Sequence, residues 1–166
     1  VPLKIKLDDP RIEDKVSAIF KSVDDIEYYR EVMLSVPLGK PVWSYWVTSR
    51  YGTRSDPFKK TKARHKGVDL ASRTGNKVNV KGQGKVIRAE YAGAYGNLVV
   101  VDHGNGFQTK YAHLNKIYVK KGDRLEINDT VGEVGSTGRS TGPHLHYEVL
   151  YKGVNVDPLP FLKAKI

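Results

Sequence analysis

From residue 42 onward, the sequence is built from short runs that alternate apolar and polar residues, with Gly, Asn and Pro between them. Alternation with a period of two predicts β-strands, and turn residues at such short intervals are typical of antiparallel sheets. The predicted strands are 42–49, 78–80, 85–91, 97–102, 106–113, 130–135 and 144–151. The expected fold is therefore mainly β, a compact antiparallel β-sandwich or open barrel.

The N-terminal part of the chain has a different periodicity. Residues 8–34 are predicted to be helical, because Pro10 suits a first helical turn and apolar residues follow at helical spacing, with a second helical stretch over 24–34. Residues 1–36 hold six Lys or Arg against eight Asp or Glu, whereas residues 37–166 hold 22 against 10. This change predicts two parts: a helical N-terminal segment, which is a linker or a regulatory element, and a basic β-domain.

The chain contains no cysteine, which excludes a thiolate zinc finger, a disulfide framework and a cysteine nucleophile. Its net charge of +10 favours polyanionic partners such as nucleic acid, anionic lipid or cell wall. No apolar run approaches the roughly 20 residues that span a membrane, and no signal peptide is visible. Because the sequence begins with Val, we expect a mature form or a fragment with missing upstream domains.

Two histidine motifs predict a metal site. His144 and His146 lie two residues apart at the start of a predicted strand, so both imidazoles point to the same face and Leu145 points to the other. Upstream, His65 and Asp69 supply a further nitrogen and a carboxylate oxygen. Two histidines and one carboxylate are ligands that zinc accepts, and they leave the fourth position open for water, as in catalytic sites. The spacing does not decide which of His144 and His146 binds the metal.

The chain has five histidines, so these motifs hold three of them. His113 ends the alternating run 107–113, which is also a predicted strand. His103 lies in the Gly-rich stretch 101–106, which predicts a hairpin turn, and we expect its side chain to be exposed.

Several motifs occur together in one order, and the ordered set is far more specific than any single motif. They are Tyr51-Gly-Thr-Arg-Ser-Asp-Pro57, His65-Lys-Gly-Val-Asp69, Tyr95-Gly-Asn97, His103-Gly-Asn-Gly106, Tyr111-Ala-His-Leu114 and Gly138-Arg-Ser-Thr-Gly-Pro-His-Leu-His146. Over about residues 38–161, the sequence resembles the lysostaphin- or LytM-type zinc endopeptidases of the M23 family. The resemblance implies a LytM-type β-domain with the active site in a groove.

The resemblance also implies roles for single residues. His65, Asp69 and His146 correspond to the three zinc ligands, and His113 and His144 correspond to the two unligated histidines of the active site. The implied cofactor is Zn²⁺, which would activate a water molecule. No Glu occupies the position where helical zinc proteases keep their base, so proton transfer is expected to fall to one of the two unligated histidines. The sequence does not divide the base and oxyanion roles between them.

The implied substrate is the peptide part of peptidoglycan, and the implied location is the bacterial cell envelope, either periplasmic or secreted. The sequence does not distinguish a glycyl bridge from a D-alanyl–diaminopimelate cross-link. Three tyrosines are candidates for the groove, with the core as the alternative for some of them: Tyr51, Tyr95 and Tyr111.

Two other functions each account for part of the sequence. A catalytically silent LytM-type domain that activates a cell-wall amidase would have lost metal ligands, whereas the ligand set here is complete. A nucleic-acid-binding β-domain is suggested by the charge and the ten tyrosines, but it leaves the clustered histidines and Gly-rich loops unexplained. We therefore expect no nucleic-acid partner.

Overall fold

The computed structural model describes residues 10–55 and 62–164. The chain divides into two compact units, the first ending at Met33 and the second beginning at Leu34. Helix α1 (Pro10–Ser35) is continuous, without a break between the two helical stretches predicted from the sequence. Its apolar side chains are largely exposed, with Ile19 and Phe20 more than 60% accessible. The function of this N-terminal segment stays a prediction.

The described residues of the second unit form short strands and one short helix. The strands are β1 (Trp46–Ser49), β2 (Gly52–Ser55), β3 (Lys62–His65), β4 (Val68–Ala71), β5 (Lys77–Asn79), β6 (Gly84–Tyr91), β7 (Asn97–Gly104), β8 (Phe107–Leu114), β9 (Lys116–Ile117), β10 (Arg124–Leu125), β11 (Thr130–Glu133), β12 (His144–Tyr151) and β13 (Val154–Val156). A single 3₁₀ turn covers Gly93–Tyr95, and α2 covers Leu159–Lys163.

The main sheet has the order β1-β4-β12-β8-β7-β6-β10, with β13 paired to β12. Two smaller sheets are formed by β5, β11 and β9 and by the β2–β3 hairpin. The described strand pairs are antiparallel. The predicted fold class, mainly β and antiparallel with a helical N-terminal segment, is confirmed.

The two faces of the main sheet have different roles because successive side chains of a strand point to opposite sides. On β12, Leu145, Tyr147 and Val149 are fully buried in the main apolar core. The intervening residues of β12, including His144 and His146, lie on the other face. The central strands therefore place the candidate site on one side of the sheet and anchor it through the core on the other.

The expectation that His103 is an exposed turn residue is wrong. His103 lies on β7 and is only 5% accessible. Its Nδ1 donates to the Gln83 carbonyl oxygen at 2.8 Å, and its Nε2 lies 2.8 Å from the Thr109 hydroxyl. The strand continues to Gly104, and the reversal occurs at Asn105 and Gly106, so the turn begins after the histidine.

In the part of the chain that the structure describes, no helix combines the length and apolar character needed to cross a membrane.

Candidate metal centre and catalytic cleft

Neighbouring strands place the central residues of the site side by side. Asp69 on β4 lies opposite His146 on β12 in the antiparallel register, and the side chains of such a pair share one face of the sheet. His65 ends β3, and Gly67 lets the chain turn tightly into β4. A Cβ on Gly67 would lie 2.2 Å from the Tyr147 carbonyl oxygen, so a larger residue cannot fit at this crossing.

Three side-chain atoms meet at this point in a nearly equilateral triangle. Nε2 of His65 lies 3.0 Å from Oδ1 of Asp69 and 3.1 Å from Nδ1 of His146. Nδ1 of His146 lies 2.8 Å from the same carboxylate oxygen. Zinc in tetrahedral coordination, with ligands at roughly 2.0–2.1 Å, separates its ligand atoms by about 3.3 Å. The three residues can therefore hold a metal ion, and their donor set suits zinc.

Each imidazole of the triangle is held by a hydrogen bond from its other nitrogen. Nδ1 of His65 lies 2.8 Å from the carbonyl oxygen of Arg50, which can only accept, so this nitrogen carries the proton. Nε2 of His146 lies 3.1 Å from a carboxylate oxygen of Glu148. Binding of a metal ion in place of the proton shared with Asp69 would leave Nε2 of His65 and Nδ1 of His146 as lone-pair donors directed at the same centre. Outer hydrogen bonds of this kind orient the histidines of metal sites.

Glu148 is the hub of a buried polar network behind His146. Its side chain has no accessible surface. Oε1 also accepts a hydrogen bond from the Tyr95 hydroxyl at 2.8 Å, while Oε2 accepts from Asn155 at 2.8 Å and pairs with Lys110 at 3.1 Å. Burial alone would raise the pKa of Glu148, but hydrogen bonds from His146 and Asn155 hold it at about 2. Glu148 is therefore a carboxylate at neutral pH.

Glu148 belongs to none of the histidine motifs that predict the metal site. The signal that could have found it is the alternation of His144, His146 and Glu148 along one strand, which places all three side chains on one face. A buried carboxylate in line with two histidines favours a role in orienting one of them.

His113 and His144 lie beside the triangle, with ring centroids 4.8 Å apart. Nδ1 of His113 donates to the Thr137 carbonyl oxygen at 2.8 Å, and Nδ1 of His144 donates to the Gly142 carbonyl oxygen at 2.7 Å. Both hydrogen bonds leave Nε2 of the ring as the proton acceptor. Nε2 of His144 lies 3.8 Å from the Asp69 carboxylate, too far for a hydrogen bond.

The site sets the charge states of its members through burial and close contacts. Burial lowers the pKa of His113 to about 4, against the opposing effect of its hydrogen bond to Thr137. His113 is therefore neutral near pH 7 and can accept a proton. Burial would raise the pKa of Asp69, but the contacts with His146 and His65 hold it well below its usual range, so this carboxylate is ionised.

The four histidines and Asp69 open into a cleft with a volume of about 480 Å³. Much of the remaining lining consists of short hydroxyl side chains and three cationic residues: Thr48, Ser49, Ser140, Thr141, Arg64, Lys66 and Arg139. This lining is suited to an extended peptide that carries carboxylate groups.

The three tyrosines considered for the groove have different positions. Tyr95 lines the cleft, and its hydroxyl donates a hydrogen bond to Glu148. Tyr111 is fully buried in the main core, as the alternative interpretation expected. The Tyr51 hydroxyl donates to the Asn155 carbonyl oxygen at 2.7 Å and accepts a hydrogen bond from Arg64.

The sequence matches the family model "Peptidase family M23" over residues 63–158. A curated relative, the peptidoglycan DD-endopeptidase ShyA of Vibrio cholerae, is 41% identical over 128 residues, which are 76% of this chain and 29% of that protein. The chain spans less than a third of the length of the first curated relatives it matches.

Two solved structures have the same fold. A zinc-containing peptidase from Vibrio cholerae gives a TM-score of 0.66 at 35% identity and covers 80% of this chain and 40% of that one. The catalytic domain of lysostaphin from Staphylococcus simulans, an antimicrobial peptidase, gives 0.66 at 32% identity and covers 72% of this chain and 93% of that one.

Proposed function

Since this chain belongs to peptidase family M23, we propose that it is a zinc-dependent endopeptidase that hydrolyses peptide cross-links of bacterial peptidoglycan. The observation that carries the proposal is the donor triangle of His65, Asp69 and His146, whose two ring nitrogens and carboxylate oxygen lie 2.8–3.1 Å apart around a common centre. We further propose that the protein acts in the cell envelope, either in the periplasm or after secretion.

The substrate proposal is supported by a relative and by the cleft. ShyA is named a peptidoglycan DD-endopeptidase, and this favours a D-alanyl–diaminopimelate cross-link over a glycyl bridge. The cationic residues of the cleft, Arg64, Lys66 and Arg139, complement the carboxylates of stem peptides. Opposite charges at the rim of a cleft raise the rate of substrate capture.

His65 would hold the metal through Nε2, His146 through Nδ1 and Asp69 through its carboxylate. Zinc, when bound, would polarise the scissile carbonyl and lower the pKa of the attacking water. The lowered pKa of Asp69 keeps its carboxylate anionic, and the negative charge complements a divalent cation. The buried Glu148 would hold His146 in the tautomer that offers Nδ1.

His113 and His144 would carry out proton transfer and stabilise the oxyanion. Each presents Nε2, because each Nδ1 donates to a backbone carbonyl. The low pKa of His113 keeps its imidazole unprotonated at neutral pH, so Nε2 is available to take the water proton, and the imidazolium that results would return the proton to the leaving amine. His144, beside Asp69, would then stabilise the oxyanion. A domain that only activates an amidase needs neither arrangement, so the complete donor set argues against that function.

The test is zinc content and activity in variants of the triangle. Asp69→Asn and His65→Ala should lower bound zinc from about one per chain and abolish cleavage of purified sacculi, while circular dichroism stays that of a folded β-domain. His103→Gln is the matched control, because it alters a buried histidine outside the cleft and should keep zinc. Full zinc occupancy in both triangle variants would refute the assignment.

Digestion of sacculi with each type of cross-link tests the substrate. Mass spectrometry of the new termini should identify a free D-alanyl carboxylate and the released diaminopimelate amine. Release of glycyl termini instead would contradict the proposed bond.

A further inference from the structure

Trp46 lies on the same face of the main sheet as the candidate site. On the edge strand β1 it pairs with Ala71 of β4, and Ala71 pairs in turn with His144 of β12. Side chains that lie opposite each other in antiparallel strands share a face, so Trp46, Ala71 and His144 form one cross-strand row. Two strand spacings separate the ends of this row, roughly 10 Å between their backbones.

The position of Trp46 is not explained by the packing of the domain. Its side chain is 73% accessible, whereas the core tyrosines Tyr111 and Tyr147 are completely buried. β1 is the first strand of the main sheet, so none of the described strands pairs with its outer edge. Ala71, between Trp46 and His144, contributes only a methyl group. Tryptophan is enriched at binding interfaces, because it combines a large apolar ring with one polar N–H.

The chemistry of Trp46 differs from that of the cleft floor. Near the triangle the lining is hydroxyl and cationic, including Thr48, Ser49 and Arg64, which suits a polar peptide. An indole instead offers a wide flat apolar face with a single donor at its edge. This shape matches the apolar C–H face of a pyranose ring, whose hydroxyl groups remain at the rim.

We propose that Trp46 is the platform of a glycan subsite, on which a hexosamine ring of the peptidoglycan strand stacks while its stem peptide enters the cleft. The proposal rests on the proposed function, and it adds the sugar as a second recognised part of the substrate. An extended stem of roughly four residues spans about 13 Å at about 3.3 Å per residue. That reach is comparable with the separation between Trp46 and His144, so one substrate can occupy both.

The test compares two soluble substrates with the same peptide cross-link, one carrying the disaccharide on its stems and one without sugar. Trp46→Ala should raise KM about tenfold for the sugar-bearing dimer and leave KM for the sugar-free dimer unchanged. Trp46→Phe, which keeps an aromatic face, should recover part of the loss. Trp43→Ala is the matched control, because Trp43 is 95% accessible but precedes the paired strand, and it should behave like the wild type.

An equal rise in KM for both dimers would overturn the proposal, because the indole would then contact the peptide. No change for either dimer, or an equal effect of Trp43→Ala, would overturn it as well.

A binding measurement with a sugar alone tests the glycan subsite independently of peptide hydrolysis. Trp43→Phe leaves Trp46 as the one tryptophan of the chain, so fluorescence quenching by an N-acetylglucosamine pentamer reports on that position. Saturable quenching supports the subsite even if the wild type cleaves neither dimer, in which case the proposed function alone fails. Quenching that does not saturate overturns the subsite whatever the hydrolysis assay gives.

Discussion

Replacement of Glu148 tests whether the buried network behind His146 tunes the metal centre. The carboxylate accepts from His146, Tyr95, Asn155 and Lys110. Glu148→Ala removes all four acceptor contacts of a carboxylate that has no accessible surface. Breaking a buried charged network in this way costs about 3–5 kcal/mol of the free energy of unfolding. A domain with ordinary stability, roughly 5–15 kcal/mol, should still fold.

The effect on zinc has a separate origin. Without the Glu148 carboxylate, the proton of His146 is no longer held on Nε2 and can move to Nδ1, the nitrogen that faces Asp69 and His65. A proton on Nδ1 must be displaced before metal can bind. Loss of such an outer partner typically weakens metal binding 10–100-fold. We expect about 100-fold for Glu148→Ala and about tenfold for Glu148→Gln, whose amide oxygen can still accept from His146.

Zinc affinity is measured by competition with a chromophoric chelator, and thermal unfolding by circular dichroism on the metal-free protein. Imidazole ¹⁵N shifts report the tautomer of His146, which a purely structural defect would not change. Glu90→Gln is the control, because it removes an exposed carboxylate paired with Arg88 and should alter stability by less than about 1 kcal/mol. Unchanged zinc affinity in folded Glu148→Ala would refute the reasoning.

Three further predictions concern other parts of the chain. His113→Ala and His144→Ala should retain zinc and lose about 100-fold or more in kcat; near-normal turnover by both would exclude them from the chemistry. Burial lowers the pKa of His103, so its stabilising contribution is present above the unfolded pKa of about 6.5 and is lost as the pH falls. The difference in Tm between the metal-free wild type and His103→Gln should therefore narrow from pH 7.5 to pH 5, and a constant difference would contradict this. A chain beginning at Val36 should cleave a small peptide faster than the full chain if the N-terminal segment covers the cleft; equal rates would leave that segment a linker.

Most strands of the sheet could be predicted from alternation, whereas the set of site residues came from the histidine motifs and from the resemblance to the M23 family. Alternation along 144–151 correctly placed Leu145 in the core and the two histidines on the opposite face. Strands β2, β3 and β4 were not predicted, since runs of four residues with turn residues on both sides carry little periodic signal. β4 carries Asp69. The motif therefore identified this residue although the strand that holds it was not predicted.

Contacts between distant segments were harder to predict. Nothing local to Asn155 or Lys110 indicates that both approach Glu148, because those contacts arise from strand pairing. The error at His103 has a similar cause. Glycines predict that a reversal is near, but they do not fix which residue is the last of the strand, and a shift of one or two residues decided whether the imidazole was buried.

The backbone at His113 adopts a strained conformation that positions its side chain in the cleft. On β8, Thr109 and Tyr111 point to the main core and Ala112 lies opposite His146, so strict alternation would send His113 into the core. Its φ of 61° breaks the alternation and turns the ring to within 4.8 Å of that of His144. A non-glycine residue in the left-handed region costs about 1–2 kcal/mol. The hydrogen bond from His113 to the Thr137 carbonyl oxygen offsets part of this cost. Such strain persists only where the surrounding structure enforces it, and here it brings the ring of His113 beside that of His144 in the cleft.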